Sequence, residues 1–147
     1  MTKDFFISYT QADRDWAEWI GWELKQAGYS VVLQAWDFRP GQNFVLNMHN
    51  ASRGSKRTIA VLSPDYLRAT FTQPEWAAAF RQDPLGTKGT LLPIHVRECK
   101  KQINGLLGPI AYIDLVGLDK PTARQELLAG VNNQPQRPVT PPPFPGP

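Results

Sequence analysis

The sequence contains a single cysteine in 147 residues and no long hydrophobic run. Because Cys99 has no second cysteine to pair with, an internal disulfide is excluded, which agrees with a reducing compartment. No stretch approaches the roughly 20 apolar residues that a membrane-spanning helix needs, and the N-terminus lacks a signal-peptide core. We therefore expect a cytosolic protein that has no membrane partner.

Motifs for bound cofactors, metals and nucleic acids are also lacking. No G-x-G-x-x-G fingerprint occurs, which excludes a Rossmann cofactor site, so no cofactor is expected. His49 and His95 have no cysteine, histidine or acid at ligand spacing, and no metal site is expected. The net charge is +3 with basic residues scattered among acids, so no nucleic-acid partner is expected. The basic pairs at residues 56–57 and 100–101 are interpreted as solvated loop charges.

Proline is concentrated at the C-terminal end. Seven of the 14 prolines fall within residues 134–147, together with a single charge, Arg137. This composition predicts one domain over residues 1–131, followed by a proline-rich linker or disordered tail over residues 132–147. Because the sequence stops within the proline run, we expect a C-terminal effector or sensor module beyond it.

Five short apolar runs predict strands, and segments with helical spacing of apolar residues separate them. The predicted strands are residues 4–9, 30–33, 58–62, 91–96 and 110–114. The predicted helices are residues 13–27, 45–52, 65–82 and 119–131, with Gly28 at a left-handed C-cap after the first. Residues 34–44 are polar and contain the Pro40-Gly41 turn, so they are predicted to form a long irregular loop.

Strands that alternate with helices predict parallel βαβ units with right-handed crossovers. The fold class is therefore α/β, a flavodoxin-like doubly wound five-stranded parallel sheet with strand order 2-1-3-4-5 and helices on both faces. The order changes direction between strands one and three. Ligand chemistry is expected just beyond the carboxyl ends of these two strands, at Ser8-Tyr9 and at Ser63-Pro64. Ser63 itself is interpreted as an N-cap or turn residue.

Four segments together resemble the boxes of a TIR (Toll/interleukin-1 receptor) domain of bacterial type. They are residues 5–9 (FFISY), 36–41 (WDFRPG), 62–67 (LSPDYL) and the pair Glu75-Trp76. The resemblance covers residues 2–131 in the correct order and leaves the tail outside.

The resemblance implies that the loop after the second strand contacts neighbouring TIR domains. Its expected interface residues are Trp36, Asp37, Pro40 and Gly41. Other TIR domains are therefore the expected partners, and a homo-oligomer is expected on activation.

The resemblance also implies an NAD⁺ glycohydrolase. In enzymatic members a glutamate on the helix after the third strand cleaves the nicotinamide–ribose bond, and Glu75 matches that position. One carboxylate is chemically sufficient, because nicotinamide is cationic when attached and leaves as a neutral molecule without a general acid. A single anion near the ribose can stabilise the oxocarbenium-like centre. NAD⁺ would thus be a substrate that is consumed, in bacterial immune (antiphage) signalling.

Further substrate contacts follow from the same resemblance. Tyr9 and Thr10 match positions that line the family's nucleotide pocket. Arg39 and Phe44 are expected to reach the diphosphate and a base, and Phe71 to offer a ring to nicotinamide or adenine. Many enzymatic members have a Trp-x-x-x-Glu pattern where this chain has Phe71, so the product is left open between ADP-ribose and a cyclic variant.

Structural interpretations of the same residues remain open. Residues 72–75 (TQPE) also form a capping box, in which Glu75 would only stabilise a helix N-terminus. A tyrosine at the position of Tyr9 is more often a packed aromatic at a strand end than a ligand contact. The alternative function is a non-enzymatic TIR adaptor or scaffold that acts by homotypic interaction, because one fold serves both roles.

Overall fold

A computed structural model describes residues 3–68, 90–107, 111–132, 138 and 140–147. Within these residues five strands form one parallel sheet in the order β2-β1-β3-β4-β5. They are β1 (Lys3–Ser8), β2 (Val31–Leu33), β3 (Ser55–Leu62), β4 (Leu91–His95) and β5 (Ile113–Asp114). The predicted flavodoxin-like strand order is confirmed.

Helices follow the strands along the described chain. They are α1 (Arg14–Gln26), α2 (Gln34–Asp37), α3 (Phe44–Arg53), α4 (Pro64–Arg68), α5 (Lys100–Leu107) and α6 (Lys120–Val131), with a 3-10 turn at Gln11–Asp13 before α1. Gly28 follows α1 with a φ of 98°, as predicted for a left-handed C-cap. The described residues of the tail, 138 and 140–147, form neither helix nor strand.

The sheet has a buried core on each face, because alternate strand residues point to opposite sides. On one face, Ile7 and Ile59 belong to a cluster with Ile20 of α1 and Leu127 of α6. The cluster on the other face is Ala60, Leu62, Tyr66 of α4, Leu91, Cys99 and Ile103 of α5. The prediction of helices on both faces is therefore confirmed.

The segment after β2 is more regular than predicted. Gln34–Asp37 forms one helical turn, α2. The Leu33 amide donates to Oδ2 of Asp37 at 2.9 Å, and the Ala35 amide donates to the Tyr9 hydroxyl at 3.0 Å. Because the first amides of a helix lack intrahelical partners, these two acceptors stabilise a turn that composition alone does not favour. The prediction of an irregular loop is wrong for these four residues.

Helix α5 is a second element that the sequence analysis does not predict. The amide of Cys99, just before α5, donates to Nε2 of His95 at 2.9 Å. Nδ1 of His95 lies 3.1 Å from Oδ1 of Asp114, so this nitrogen is the one that donates. His95 is fully buried and thereby fixes the start of α5 from within the core.

The two basic pairs do not lie in loops, so their interpretation as loop charges is wrong. Lys100 and Lys101 are exposed residues in the first turn of α5. Arg57 lies within β3, where its guanidinium is 6.0 Å from the ring centroid of Phe5 and donates to the Val131 carbonyl at 3.3 Å. Burial lowers the pKa of Arg57.

Helices α1 and α6 are joined by an ion pair that is buried at one end. Nε of Arg124 lies 2.8 Å from Oε1 of Glu23. Glu23 is only 7% exposed, although the Arg124 side chain is 56% exposed. A carboxylate with so little water around it depends on its cationic partner for stabilisation.

The start of β2 is held to β1 by a reciprocal contact. Asp4 Oδ2 accepts hydrogen bonds from the Ser30 amide at 2.9 Å and from the Ser30 hydroxyl at 3.1 Å. The Asp4 amide in turn donates to Ser30 Oγ at 2.8 Å. The backbone hydrogen bond from Ser30, the hydroxyl and the nearby Lys56 charge lower the pKa of Asp4, against the opposing effect of burial.

We predict that Arg124→Met lowers the free energy of unfolding by about 2 kcal/mol, because it leaves the Glu23 carboxylate buried without its cation. Urea unfolding measures this change. The matched control is Arg14→Met, since the Arg14–Glu18 pair on α1 is exposed at both ends, with side-chain values of 49% and 33%. Its loss is expected to cost less than about 0.5 kcal/mol. Equal losses in the two variants would contradict the prediction.

We also predict a pH-dependent contribution from Asp4. Its folded-state pKa is lowered, so the stabilisation is present above the unfolded-state value of about 3.9 and disappears as the pH falls through the folded-state value. Asp4→Asn should therefore be less stable than the parent near pH 7, and the difference should shrink in acid. Urea unfolding across the pH range tests this, and a constant difference would count against it.

Candidate functional site

Polar side chains meet beyond the carboxyl ends of the central strands, where the strand order changes direction between β1 and β3. We call this group the polar network. It consists of Thr10, Asp13, Ser63, Asp65 and Arg97. The residues come from the segments that follow β1, β3 and β4. The network therefore occupies the place where doubly wound sheets bind ligands.

Asp13 is at the centre of the polar network and is only 2% exposed. Its Oδ2 accepts hydrogen bonds from the hydroxyl of Thr10, at 3.1 Å, and from the hydroxyl of Ser63. Its Oδ1 accepts from Nε of Arg97 at 2.7 Å. A buried carboxylate is stable only when such donors are present, so Asp13 ties three strand ends together.

Arg97 bridges Asp13 to a second carboxylate. Its Nη2 donates to Oδ2 of Asp65, whose other oxygen accepts from Arg68. The hydrogen bond from Arg97 is the main reason that the pKa of Asp65 lies below its ordinary value, and the two arginine charges add to it. Hydrogen bonds to Asp13 and then to Asp65 raise the pKa of Arg97. Asp65 and Arg97 are therefore both charged at neutral pH.

The first turn of α4 is attached to the polar network through Ser63. The Tyr66 amide donates to Ser63 Oγ at 3.1 Å, which confirms the interpretation of Ser63 as an N-cap or turn residue. The hydroxyls of Tyr66 and Ser8 lie 2.9 Å apart within the core. The chain that leads from α4 towards residue 75 thus starts at a fixed position beside the ends of β1 and β3. Glu75 and Phe71 themselves lie outside the described residues.

Tyr9 takes part in a different contact, although it adjoins Thr10. Its side chain is 9% exposed, and its hydroxyl accepts from the Ala35 amide at the start of α2. Burial raises the pKa of the Tyr9 phenol, despite the opposing hydrogen bond from Ala35. Tyr9 therefore supports the loop after β2, as a packed aromatic at a strand end does.

The predicted interface residues Trp36 and Asp37 hold the base of this loop. Asp37 caps α2 through the Leu33 amide, as described above. The ring of Trp36 packs against α1 so closely that a Cβ on Gly21 would lie 2.8 Å from its Cη2 atom. Nζ of Lys25 lies 5.6 Å from the centroid of the Trp36 ring. Only a glycine at position 21 allows this approach of α1 to α2.

The tip of the loop faces solvent. Pro40 and Gly41 are exposed, and Gly41 has a φ of 88°, which favours glycine. Nη1 of Arg39 donates to the Trp36 carbonyl at 2.7 Å, and the Arg39 amide donates to the side chain of Gln42 at 2.9 Å. These contacts attach the exposed tip to the end of α2.

The end of the loop is the first turn of α3, which begins at Phe44. The side chain of Asn43 accepts from the Leu46 amide at 2.9 Å and caps this helix. The structure describes the backbone position of Phe44 and not its side chain, so its predicted contact with a base stays a prediction.

The structure thus divides the predicted site residues that it describes between the polar network and the loop after β2. Thr10 belongs to the polar network. Tyr9, Trp36 and Asp37 hold the base of the loop, and Arg39, Pro40 and Gly41 lie at its exposed tip. No motif in the sequence predicts a site role for Asp13, Asp65 or Arg97. The signal was present for Arg97, because it follows β4 by two residues and the carboxyl ends of neighbouring parallel strands meet at one edge.

The described residues contain no group of three or more histidine, cysteine, aspartate or glutamate side chains that could hold a metal ion. Among the helices of the same residues, none has the length and apolar character needed to cross a membrane.

Comparisons with known proteins agree on the fold. A sequence model of the TIR domain matches residues 5–128. The TIR domain of the Toll-related receptor TRR-2 from Hydra magnipapillata is 27% identical, with a TM-score of 0.68 over 90% of this chain and 100% of that one.

Two further solved structures share the fold. A TIR-STING receptor from C. gigas in complex with 2′,3′-cGAMP is 24% identical, with a TM-score of 0.72 over 89% of this chain and 40% of that one. A prokaryotic SEFIR domain is 19% identical, with a TM-score of 0.61 over 99% of this chain and 100% of that one. No curated protein sequence matches. Since the family match takes in most of the chain, this protein belongs to the TIR domain family.

Proposed function

We propose that the protein is an NAD⁺ glycohydrolase that is activated by self-association. It cleaves the nicotinamide–ribose bond and releases nicotinamide and ADP-ribose or a cyclic variant, in immune (antiphage) signalling. The observation that carries the proposal is the polar network, which fixes the start of α4 at the crevice where the strand order reverses, in a chain of the TIR family. Glu75 follows α4 in the sequence and is the proposed catalytic residue.

The proposed chemistry needs only one anion. The bond from the ribose anomeric carbon to the pyridinium nitrogen breaks, and its electron pair leaves with nicotinamide as a neutral molecule. Glu75 stabilises the oxocarbenium-like ribosyl centre and hydrogen-bonds the ribose hydroxyls. Water then adds to the anomeric carbon and loses a proton, which gives ADP-ribose. Attack by an adenine nitrogen instead of water gives the cyclic variant.

The described residues offer polar groups for such a substrate. The Thr10 hydroxyl donates a hydrogen bond to Asp13. Its oxygen still has lone pairs, which can accept a hydrogen bond from a sugar hydroxyl. Arg39 uses Nη1 on the Trp36 carbonyl and is otherwise exposed, so other guanidinium N–H groups remain for a diphosphate. These contacts support the roles proposed for Thr10 and Arg39.

Self-association is proposed to use the loop after β2. Its tip at Pro40 and Gly41 is exposed, while Trp36 and Asp37 hold its base against α1 and β2. Because the base holds the exposed tip in place, the tip loses little conformational freedom when it binds another molecule. The same observation favours the second candidate function, an adaptor that only recruits other TIR domains through this loop.

We predict that the clustered protein releases nicotinamide from NAD⁺, whereas the dilute protein releases little. Glu75→Gln should abolish this release without lowering the unfolding midpoint. Glutamine is chosen because its amide oxygen still serves a capping box, so the variant keeps the structural role of Glu75 and removes the charge. The matched control is Glu126→Gln, which replaces an exposed glutamate of α6.

The outcome separates the two functions. Release that depends on Glu75 favours the enzyme. Release by clustered Glu75→Gln at the rate of the parent would refute the catalytic assignment. If the parent assembles through the loop but leaves NAD⁺ unchanged, the adaptor function is favoured.

The polar network leads to a second prediction, which does not depend on turnover. Arg97→Gln should lower the free energy of unfolding by about 2 kcal/mol, because it weakens the charge-assisted contact to the buried Asp13 carboxylate. We expect a smaller loss of unfolding free energy than for a fully buried ion pair, because the Arg97 side chain is 40% exposed. Arg68→Gln is the control, since Arg68 also contacts Asp65 but is 69% exposed. Chemical unfolding that ranks Arg68→Gln as the more damaging change would contradict this.

A further inference from the structure

A groove lies between the N-terminal parts of α1 and α6, on the sheet face that these helices cover. Its volume is about 380 Å³, within the range typical of ligand sites. The residues that line it are Asp15, Trp16, Trp19, Leu118, Lys120 and Ala123. None of these residues belongs to the polar network or to the loop after β2, so the groove is separate from the proposed NAD⁺ site.

Two tryptophans give the groove its chemical character. The rings of Trp16 and Trp19 lie 5.9 Å apart at an interplanar angle of 90°, and both are only partly buried. Leu118 adds an apolar side chain that is 37% exposed. The charges of Asp15 and Lys120 are of opposite sign. The lining therefore suits an uncharged ligand that packs against aromatic faces.

The chain itself carries a segment of this kind. Residues 141–144 (PPPF) have no charge, and Phe144 is 81% exposed. Consecutive prolines favour the polyproline II conformation before binding, so docking costs them little conformational entropy. Aromatic-lined grooves recognise such segments through the flat faces of the proline rings. The segment and the groove lining therefore match in polarity and charge.

The segment is also within reach of the groove. Helix α6 ends at Val131, and the groove touches α6 at Ala123 and Lys120. With a rise of about 1.5 Å per residue, these positions lie roughly 12–17 Å back along the helix. A segment of nine residues, the number from 133 to 141, can span at most about 28 Å when it is extended like polyproline II. The tail is thus long enough to return along α6.

We propose that the groove binds residues 141–144 of the same molecule, with the prolines against the Trp16 and Trp19 rings. The structure shows the undocked state, in which Phe144 is exposed and no residue of the tail lines the groove. The proposal adds a docked state in equilibrium with it. A tethered segment has an effective concentration on the order of 1 mM, and a contact with a Kd of about 1 mM is then about half occupied. A weak contact is sufficient.

The test is paramagnetic broadening in the chain of 147 residues. A nitroxide is attached at Gly146→Cys, and the five tryptophan indoles are observed by ¹⁵N labelling. Cys99 stays unlabelled, because it is 2% exposed and burial raises the pKa of its thiol to about 11. We expect selective broadening of Trp16 and Trp19. Trp22 is the internal comparison, since it is on the same helix, is 56% exposed and does not line the groove. Because it is only one turn beyond Trp19, its broadening should be weaker than theirs rather than absent.

Two comparisons make the result decisive. A variant with serine at all four of Pro141, Pro142, Pro143 and Phe144 should lose the selective broadening of Trp16 and Trp19. Mixing nitroxide-labelled protein without ¹⁵N with ¹⁵N-labelled protein without nitroxide should give no broadening. Three results would each overturn binding of the tail within one molecule. They are broadening of Trp22 equal to that of Trp16 and Trp19, selective broadening that persists in the serine variant, and broadening in the mixed sample.

Discussion

The described structure depends above all on one buried negative charge, the carboxylate of Asp13. A carboxylate that is 2% exposed is stable only if donors replace the water it has lost, and its donors come from three different segments. Thr10 follows β1, Ser63 follows β3 and Arg97 follows β4. Satisfying one side chain therefore fixes the relative positions of three strand ends. Because Ser63 also accepts from the Tyr66 amide, the same charge determines where α4 begins.

The base of the loop after β2 is held differently, by packing and hydrogen bonds and without a buried charge among its described residues. Gly21 lets the Trp36 ring approach α1, and the Tyr9 hydroxyl holds the first turn of α2. Its exposed tip can then meet another molecule without remodelling the core. The two arrangements meet at the end of β1, where Tyr9 supports the loop and Thr10 supports the crevice. A molecule that binds the loop would act next to the proposed site, which gives the proposed link between association and activity a physical route.

The sequence predicts the sheet well and the polar contacts poorly, for one physical reason. Strand order follows from local alternation of apolar runs and from the handedness of βαβ units. Asp13 and Arg97 are 84 positions apart, and no local pattern indicates that they pair. The sequence does not predict α2 and α5 for the same reason. The amides at the starts of these helices donate to Tyr9 and His95, which belong to other elements of the fold. The sequence does contain one useful signal, which is the position of a polar residue just after a strand. This signal indicates Ser63 after β3, and it would also indicate Arg97 after β4.

The groove adjoins this rigid region, and that limits what a docked tail can do. Asp15 and Trp16 line the groove two and three residues after Asp13, whose hydrogen bonds resist displacement of the turn before α1. A tail contact that is half occupied adds only about 0.4 kcal/mol to the stability of the domain. It therefore cannot remodel the crevice, since breaking the Asp13 contacts costs several times more. Its effect is on access, because another proline-rich ligand would have to compete with the tethered segment for the same two tryptophan rings.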